Sequence, residues 1–93
     1  MSTNRIALHA PLAKKPAYRG DLETATLWLR AGNMIVLVRA TDSLAAFVNT
    51  TLPKWEIGRD VFVQGELVND DDRWIVAATA LSLDESQEWR TNG

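Results

Sequence analysis

The sequence predicts an all-β domain, a five-stranded barrel with one short helix between strands 3 and 4. Its clearest strand runs from Ile57 to Leu67, where apolar residues and Gly65 occupy every second position. Period 2 is the pattern of a half-buried strand. Four other segments alternate or are nearly all apolar, and one has helical spacing. Ninety-three residues allow one domain with a single core. We place that core at about residues 4–83, followed by a polar tail over residues 84–93.

Three strands are predicted before the helix. Arg5 to Leu12 alternates and forms the first strand, and Lys14-Lys15-Pro16 is predicted to be a turn or loop. Leu22 to Arg30 alternates again, and Met34 to Ala40 is almost entirely apolar. The short reversal Ala31-Gly32-Asn33 joins these two segments, which predicts a hairpin.

Helical spacing follows the third strand. Thr41-Asp42-Ser43 offers capping side chains, and apolar residues then recur at positions 44, 47, 48 and 52 until Pro53. We therefore expect a helix over residues 43–52. The polar turn Asn69-Asp70-Asp71-Asp72 separates the central strand from a fifth strand, Arg73 to Leu83. Three strands, a helix and two strands is the order of the oligonucleotide/oligosaccharide-binding (OB) fold, a small Greek-key barrel.

Gly65 lies on the apolar side of the central strand, where a core side chain would be expected. A residue without a Cβ atom lets a strongly curved strand bend, or lets another backbone approach closely. We expect one of these two roles for Gly65.

The composition limits the chemistry that the chain can perform. The chain has no cysteine, a single histidine (His9), no Gly-rich phosphate loop and no paired His and carboxylate spacing of a metallohydrolase. We therefore expect no enzymatic activity, no cofactor and no metal site. The polar N-terminus lacks the apolar core of a signal peptide, and no apolar run approaches the roughly twenty residues of a membrane span. The expected location is the cytoplasm.

The charges are distributed unevenly along the chain. Residues 1–41 carry six basic and two acidic side chains, and residues 42–93 carry four basic and ten acidic ones. The fold could therefore carry a basic face and an acidic rim, or the charges could be scattered over a solvated surface.

Two segments resemble the bacterial single-stranded DNA-binding proteins and their relative, primosomal replication protein N. The first is Asn4-Arg5-Ile6-Ala7-Leu8 with the later Leu12, Pro16 and Arg19. The second runs from Met34 to Leu67 and contains an apolar third strand, a helix, a glycine before the fourth strand and Val-Phe-Val-Gln-Gly-Glu-Leu. The resemblance covers about residues 4–83 and implies an OB fold that binds single-stranded DNA.

The chain also departs from that family. The long basic and aromatic hairpin with which the relatives wrap DNA is shortened here to Ala31-Gly32-Asn33. The positions that carry stacking aromatics in the relatives match Gly32 or Asn33 and Val38 here. The acidic, Phe-ended tail tip is absent from Trp89-Arg90-Thr91-Asn92-Gly93. These departures make the chain more similar to primosomal protein N, or to a plasmid- or phage-borne miniature, than to the general housekeeping protein.

Single-strand binding needs flat side chains on which bases stack and cations that follow the phosphates. Trp28 is the first candidate platform, since it alternates away from the apolar side of its strand; the alternative is packing under a loop or in a subunit contact. Trp55 could stack on bases or close the barrel end. Trp74 could be a binding-hairpin aromatic or a packed side chain.

The candidate phosphate contacts are basic residues beside these elements, and each could equally be an ordinary exposed charge. They are Arg30, Arg39, Lys14, Lys15, Arg19 and Lys54. The turn Asp70-Asp71-Asp72 argues against DNA crossing the tip of the last hairpin, because carboxylates repel the phosphate backbone. Its spacing matches no EF-hand loop, which favours a solvated turn over a divalent-cation site.

Two functions are consistent with these features. The first is a single-stranded DNA-binding accessory protein in replication, restart or plasmid and phage maintenance, with replication or recombination proteins as partners. The second is an OB-fold protein-interaction module of the same descent, with weak or no DNA binding.

A homodimer or homotetramer through strand 1 is also expected. Ala7 lies between Arg5 and His9 on the outer side, the relatives pair this strand across a two-fold axis, and a small barrel gains from covering an edge.

Overall fold

A computed structural model describes residues 4–83 and the backbone of residues 90–91. It confirms the predicted five-stranded OB barrel with a helix between β3 and β4. The elements are β1 (Arg5–Arg19), β2 (Thr24–Ala31), β3 (Met34–Thr41), α1 (Asp42–Thr50), a 3-10 turn (Leu52–Lys54), β4 (Asp60–Asp70), β5 (Arg73–Leu83) and β6 (Arg90–Thr91).

The barrel is one sheet that closes on itself. Antiparallel pairing gives the order β3-β2-β1-β4-β5, and a parallel pairing between β3 and β5 joins the two ends. In that pairing Leu37 lies opposite Ile75 and Val38 lies opposite Val76. Closure removes the open sheet edges that β3 and β5 would otherwise leave.

Strand β1 is longer than the sequence pattern predicts. The expected turn or loop at Lys14-Lys15-Pro16 is wrong, because β1 continues to Arg19. Its first half pairs with β4 and its second half with β2, and two register shifts lie between Leu12 and Ala17. Pro16 falls within the second shift, where the ladder is interrupted and a missing N–H group is tolerated.

The helix and the chain end also differ from the expectation. Helix α1 spans Asp42–Thr50 and not residues 43–52, and Pro53 lies in the 3-10 turn that follows. Thr41 is the N-cap residue, without a side-chain capping hydrogen bond. The tail predicted over residues 84–93 lies mostly outside the described residues, but its Arg90–Thr91 segment forms strand β6 beside β5.

Gly65 allows two backbones to approach. A Cβ atom at this position would lie 2.3 Å from the carbonyl oxygen of Ala77 and 3.0 Å from the Cα of Ala78, both in β5. The β4-β5 register shifts between Gln64 and Gly65. Of the two roles expected for this glycine, close approach of a neighbouring backbone is therefore confirmed.

Replacing Gly65 by alanine should destabilise the barrel. The new methyl group would force β4 and β5 apart, and overpacking of this kind costs about 1–3 kcal/mol. Urea unfolding followed by tryptophan fluorescence measures the loss. Gly20→Ala is the matched control, because a Cβ there meets the Tyr18 ring at an ordinary 3.5 Å, and it should leave the midpoint unchanged or slightly raised. Equal midpoints for Gly65→Ala and the parent would contradict the close approach.

Candidate functional site

A groove of about 400 Å³ crosses the outer surface of β2 and β3 and ends at the β4-β5 turn. We call it the β2-β3 groove. It is lined by Thr26, Trp28, Leu37, Val38, Arg39, Asp70, Asp71, Arg73 and Ile75. It contains two of the predicted site residues, Trp28 and Arg39, and residues of β5 and its turn that the sequence pattern did not place beside them.

Alternation and register position the groove residues. In β2 the buried residues are Ala25, Leu27 and Leu29, so Thr26 and Trp28 lie on the outer side. Trp28 pairs with Leu37 in β3, and Leu37 pairs in turn with Ile75 of β5. These three side chains give the groove an apolar stripe across three strands.

Trp28 interacts with a cation. The Nζ atom of Lys14 lies 4.5 Å from the centre of the indole ring, and Lys14 is directly opposite Trp28 in the β1-β2 ladder. A cation–π contact at an exposed site is worth about 0.5–1 kcal/mol. The Lys14 ammonium group therefore covers one face of the Trp28 ring.

Arg39 also has a partner. Its Nη2 atom donates a hydrogen bond of 2.6 Å to a carboxylate oxygen of Asp70. The Arg39 side chain is 42% exposed and that of Asp70 is 54% exposed, so water screens the pair and its net contribution to stability is small. The turn that was predicted to be simply solvated thus contributes Asp70 and Asp71 to the groove.

The other predicted cations lie away from the groove lining. Arg30 is exposed on β2, one alternation beyond Trp28, and Lys15 is exposed on β1. Arg19 forms a 3.0 Å ion pair with Asp21. Lys54 ends the 3-10 turn after α1, whereas the groove ends at the β4-β5 turn. The structure therefore does not gather these cations into one site with Trp28 and Arg39.

Trp55 is not a stacking platform. Its side chain is fully buried in the core with Leu44 and Val48 of α1, and the Phe47 ring packs edge-on against it at 6.0 Å. The indole Nε1 donates a hydrogen bond of 2.8 Å to the Thr51 hydroxyl. The alternative role, packing at the helix-covered end of the barrel, fits this geometry, and Trp55 leaves the set of candidate binding residues.

Trp74 is exposed but lies outside the groove lining. It is 58% exposed, and its neighbours in β5, Arg73 and Ile75, line the groove while Trp74 does not. Period 2 explains this, because consecutive residues of a strand point to opposite sides. Arg73 is a groove cation that was not among the predicted phosphate contacts. Its place at the start of the fifth strand, two residues before the apolar Ile75 on the same side, was the available signal.

Neither a metal site nor a membrane span is found in the described part of the chain. No group of three or more His, Cys, Asp or Glu residues among residues 4–83 is placed to hold a metal ion. None of the described helices has both the length and the apolar character needed to cross a bilayer. His9 stacks on Phe62 at 3.9 Å and lies 3.8 Å from Asp60, on the outer side of the β1-β4 ladder.

Comparison with solved structures places this barrel among small OB folds. The chain is similar to the second single-stranded DNA-binding protein (SSBb) of Mycobacterium smegmatis, with a TM-score of 0.72, 23% identity and 99% of both chains covered. It is similar to a small single-stranded DNA-binding protein of Streptomyces coelicolor, with a TM-score of 0.71, 21% identity and coverage of 95% of this chain and 99% of that one.

A third similarity is to part of a larger enzyme. The asparaginyl-tRNA synthetase of Pyrococcus horikoshii matches with a TM-score of 0.66 and 17% identity, covering 88% of this chain but 20% of the synthetase. No protein-family model and no curated protein matches the sequence. At these identities the similarities establish the fold of the chain.

Replacing Thr51 by valine should destabilise the protein through Trp55. The change leaves the buried indole N–H without its acceptor, and an unsatisfied buried donor costs about 1–3 kcal/mol. Thr50→Val is the matched control, since the Thr50 hydroxyl is exposed and, within the described part of the chain, donates a hydrogen bond only to the Phe47 carbonyl oxygen, at 3.2 Å. Urea midpoints measured by circular dichroism compare the two variants. A Thr51→Val midpoint no lower than that of Thr50→Val would contradict this role of the hydroxyl.

Proposed function

We propose that the chain binds single-stranded DNA through the β2-β3 groove. The observation that carries the proposal is Trp28 in the groove, with Lys14 over its ring and Arg39 opposite its neighbour Thr26 in the β2-β3 ladder. An aromatic platform flanked by cations is what single-strand binding requires. OB folds bind oligonucleotides on the surface of strands 2 and 3, between the β1-β2 and β4-β5 loops.

The comparisons support the same ligand. Two small barrels of matching length and topology are named as single-stranded DNA-binding proteins. The finer role that we propose is that of a cytoplasmic accessory protein in replication, restart or plasmid and phage maintenance. Because the β2-β3 connection is only a tight turn at Gly32-Asn33, little surface is available for wrapping, and we expect a short binding site.

Trp28→Ala tests the stacking platform. Loss of one base–aromatic stack should weaken binding of a short oligo(dT) by about 1–3 kcal/mol while the slope of log K against log salt stays unchanged. Fluorescence anisotropy of a labelled oligonucleotide at several salt concentrations measures both quantities. Trp74→Ala is the matched control, an exposed tryptophan outside the groove lining, and it should bind like the parent.

Two outcomes would count against the groove. If Trp28→Ala and Trp74→Ala bind alike, the β2-β3 groove is not the binding surface. If the parent binds no oligonucleotide at low salt, the chain is better described by the second function, an OB-fold protein-interaction module.

We also propose that the chain forms a homodimer or homotetramer through β1. Residues Arg5–Pro11 of β1 pair with β4, whereas the pairing of β1 with β2 begins only at Leu12. Beside this segment a second hollow lies over β1 and β4 and includes the exposed Ala7 together with Gln64 and Glu66. A strand that is paired on one side and bears a small apolar residue is suited to pairing with a second copy.

Ala7→Glu should shift the assembly toward monomer. A carboxylate at Ala7 would face its symmetry-related copy across the interface, which opposes association. Sedimentation at tens of micromolar gives the mass of each variant. Ala46→Glu adds the same charge on the exposed side of α1, and it should sediment like the parent. A monomeric parent would refute the assembly.

A further inference from the structure

One of the two arginines that line the β2-β3 groove, Arg39, is already paired with a carboxylate of the protein. A carboxylate oxygen of Asp70 lies 2.6 Å from the Nη2 atom of Arg39. This is a charge-assisted hydrogen bond. A DNA phosphate would approach a guanidinium with the same kind of oxygen and the same geometry. The two anions therefore compete for one donor group.

The competitor is held in place by the fold. Asp70 is the last residue of β4, and it pairs with Arg73 across the β4-β5 turn. The next two residues, Asp71 and Asp72, have φ angles of 55° and 63°, which are the left-handed conformations of a tight hairpin turn. Arg39 reaches this turn because β3 pairs with β5, with Arg39 opposite Ala77. The contact joins residues 31 positions apart in sequence, so barrel closure sets it.

We propose that Asp70 acts as an internal substitute for a phosphate, which the nucleic acid must displace from Arg39 in order to bind. The inference rests on the proposed function of the groove. Both side chains are about half exposed, so the pair is weak enough to open. Once displaced, the Asp70 carboxylate remains beside the incoming backbone and opposes it. Asp70 therefore sets the affinity of the site by holding the Arg39 guanidinium.

The exchange predicts a specific salt dependence. In the parent, Arg39 trades one anion for another, so this contact adds little to the release of counterions from DNA. When Asp70 is neutral, Arg39 is a free cation and its phosphate contact adds about 0.7 to the slope of log K against log salt for a single strand. Removing Asp70 should thus raise affinity at low salt and steepen the salt dependence together.

Three variants separate this exchange from simple charge repulsion. Asp70→Asn frees Arg39. Asp71→Asn removes a negative charge from the same groove. Because Asp71 forms none of the ion pairs found in the described part of the chain, this change frees no cation. Asp70→Glu keeps the carboxylate with a longer side chain. Anisotropy of a labelled oligo(dT), measured over a series of sodium chloride concentrations, gives the affinity and the slope for each.

The expected result is tighter binding by Asp70→Asn of about 1.4- to five-fold, the range that an exposed ion pair supports, with a slope steeper by about 0.7. Asp71→Asn should gain less and keep the parent slope, and Asp70→Glu should resemble the parent.

Three results would overturn it. If Asp70→Asn and Asp71→Asn tighten binding equally with equal slopes, Asp70 acts as a charge and not through Arg39. If Asp70→Asn binds like the parent or more weakly, no displacement is needed, and the proposed function stands without this contact. If no variant binds at low salt, the proposed function fails and this inference fails with it.

Discussion

The parallel pairing of β3 with β5 is the contact on which the rest of this structure depends. It involves only the segments around Leu37 and Ile75, yet it converts an open antiparallel sheet into a barrel. The same pairing brings the β4-β5 turn to the outer surface of β2 and β3, so the groove exists only in the closed fold. In the closed barrel β4 and β5 lie close together, and Gly65 permits this by offering no Cβ atom to the Ala77 carbonyl.

Much of the architecture could be predicted because period-2 alternation is a local property of sequence. It indicated the number and order of the five barrel strands and placed Trp28 on the outer side of β2. It failed at Lys14-Lys15-Pro16, since a bulged strand loses its alternation where the register shifts. The length of β1 depends on two different partner strands, and no local pattern reports a change of partner.

The site was less predictable than the fold for the same reason. Trp28 and Arg39 belong to one hairpin, so their common side follows from short-range register. Barrel closure brings Asp70, Arg73 and Ile75 to that side. The register of the β3-β5 pairing cannot be predicted from a local sequence pattern. Trp55 shows a second limit. Its position just before a strand was compatible with exposure or burial, and the Thr51 hydroxyl that satisfies its indole N–H is what allows it to be fully buried.

In the proposed DNA site, Trp28 and Arg39 already interact with other groups of the protein. Lys14 covers the Trp28 ring, and Asp70 holds the Arg39 guanidinium. Binding would therefore replace these internal interactions, whereas a bare aromatic beside free cations would only add new ones. Such an exchange yields less free energy than the new interactions alone, because the free energy of the internal interactions that must break is subtracted.

The internal interactions also hold the groove side chains in place before any ligand arrives. The acidic turn weakens the non-specific attraction that a wholly basic surface has for polyanions. The mixed charge of the β2-β3 groove is thus a physical reason to expect modest affinity and a shallower salt dependence than a wholly basic groove would show.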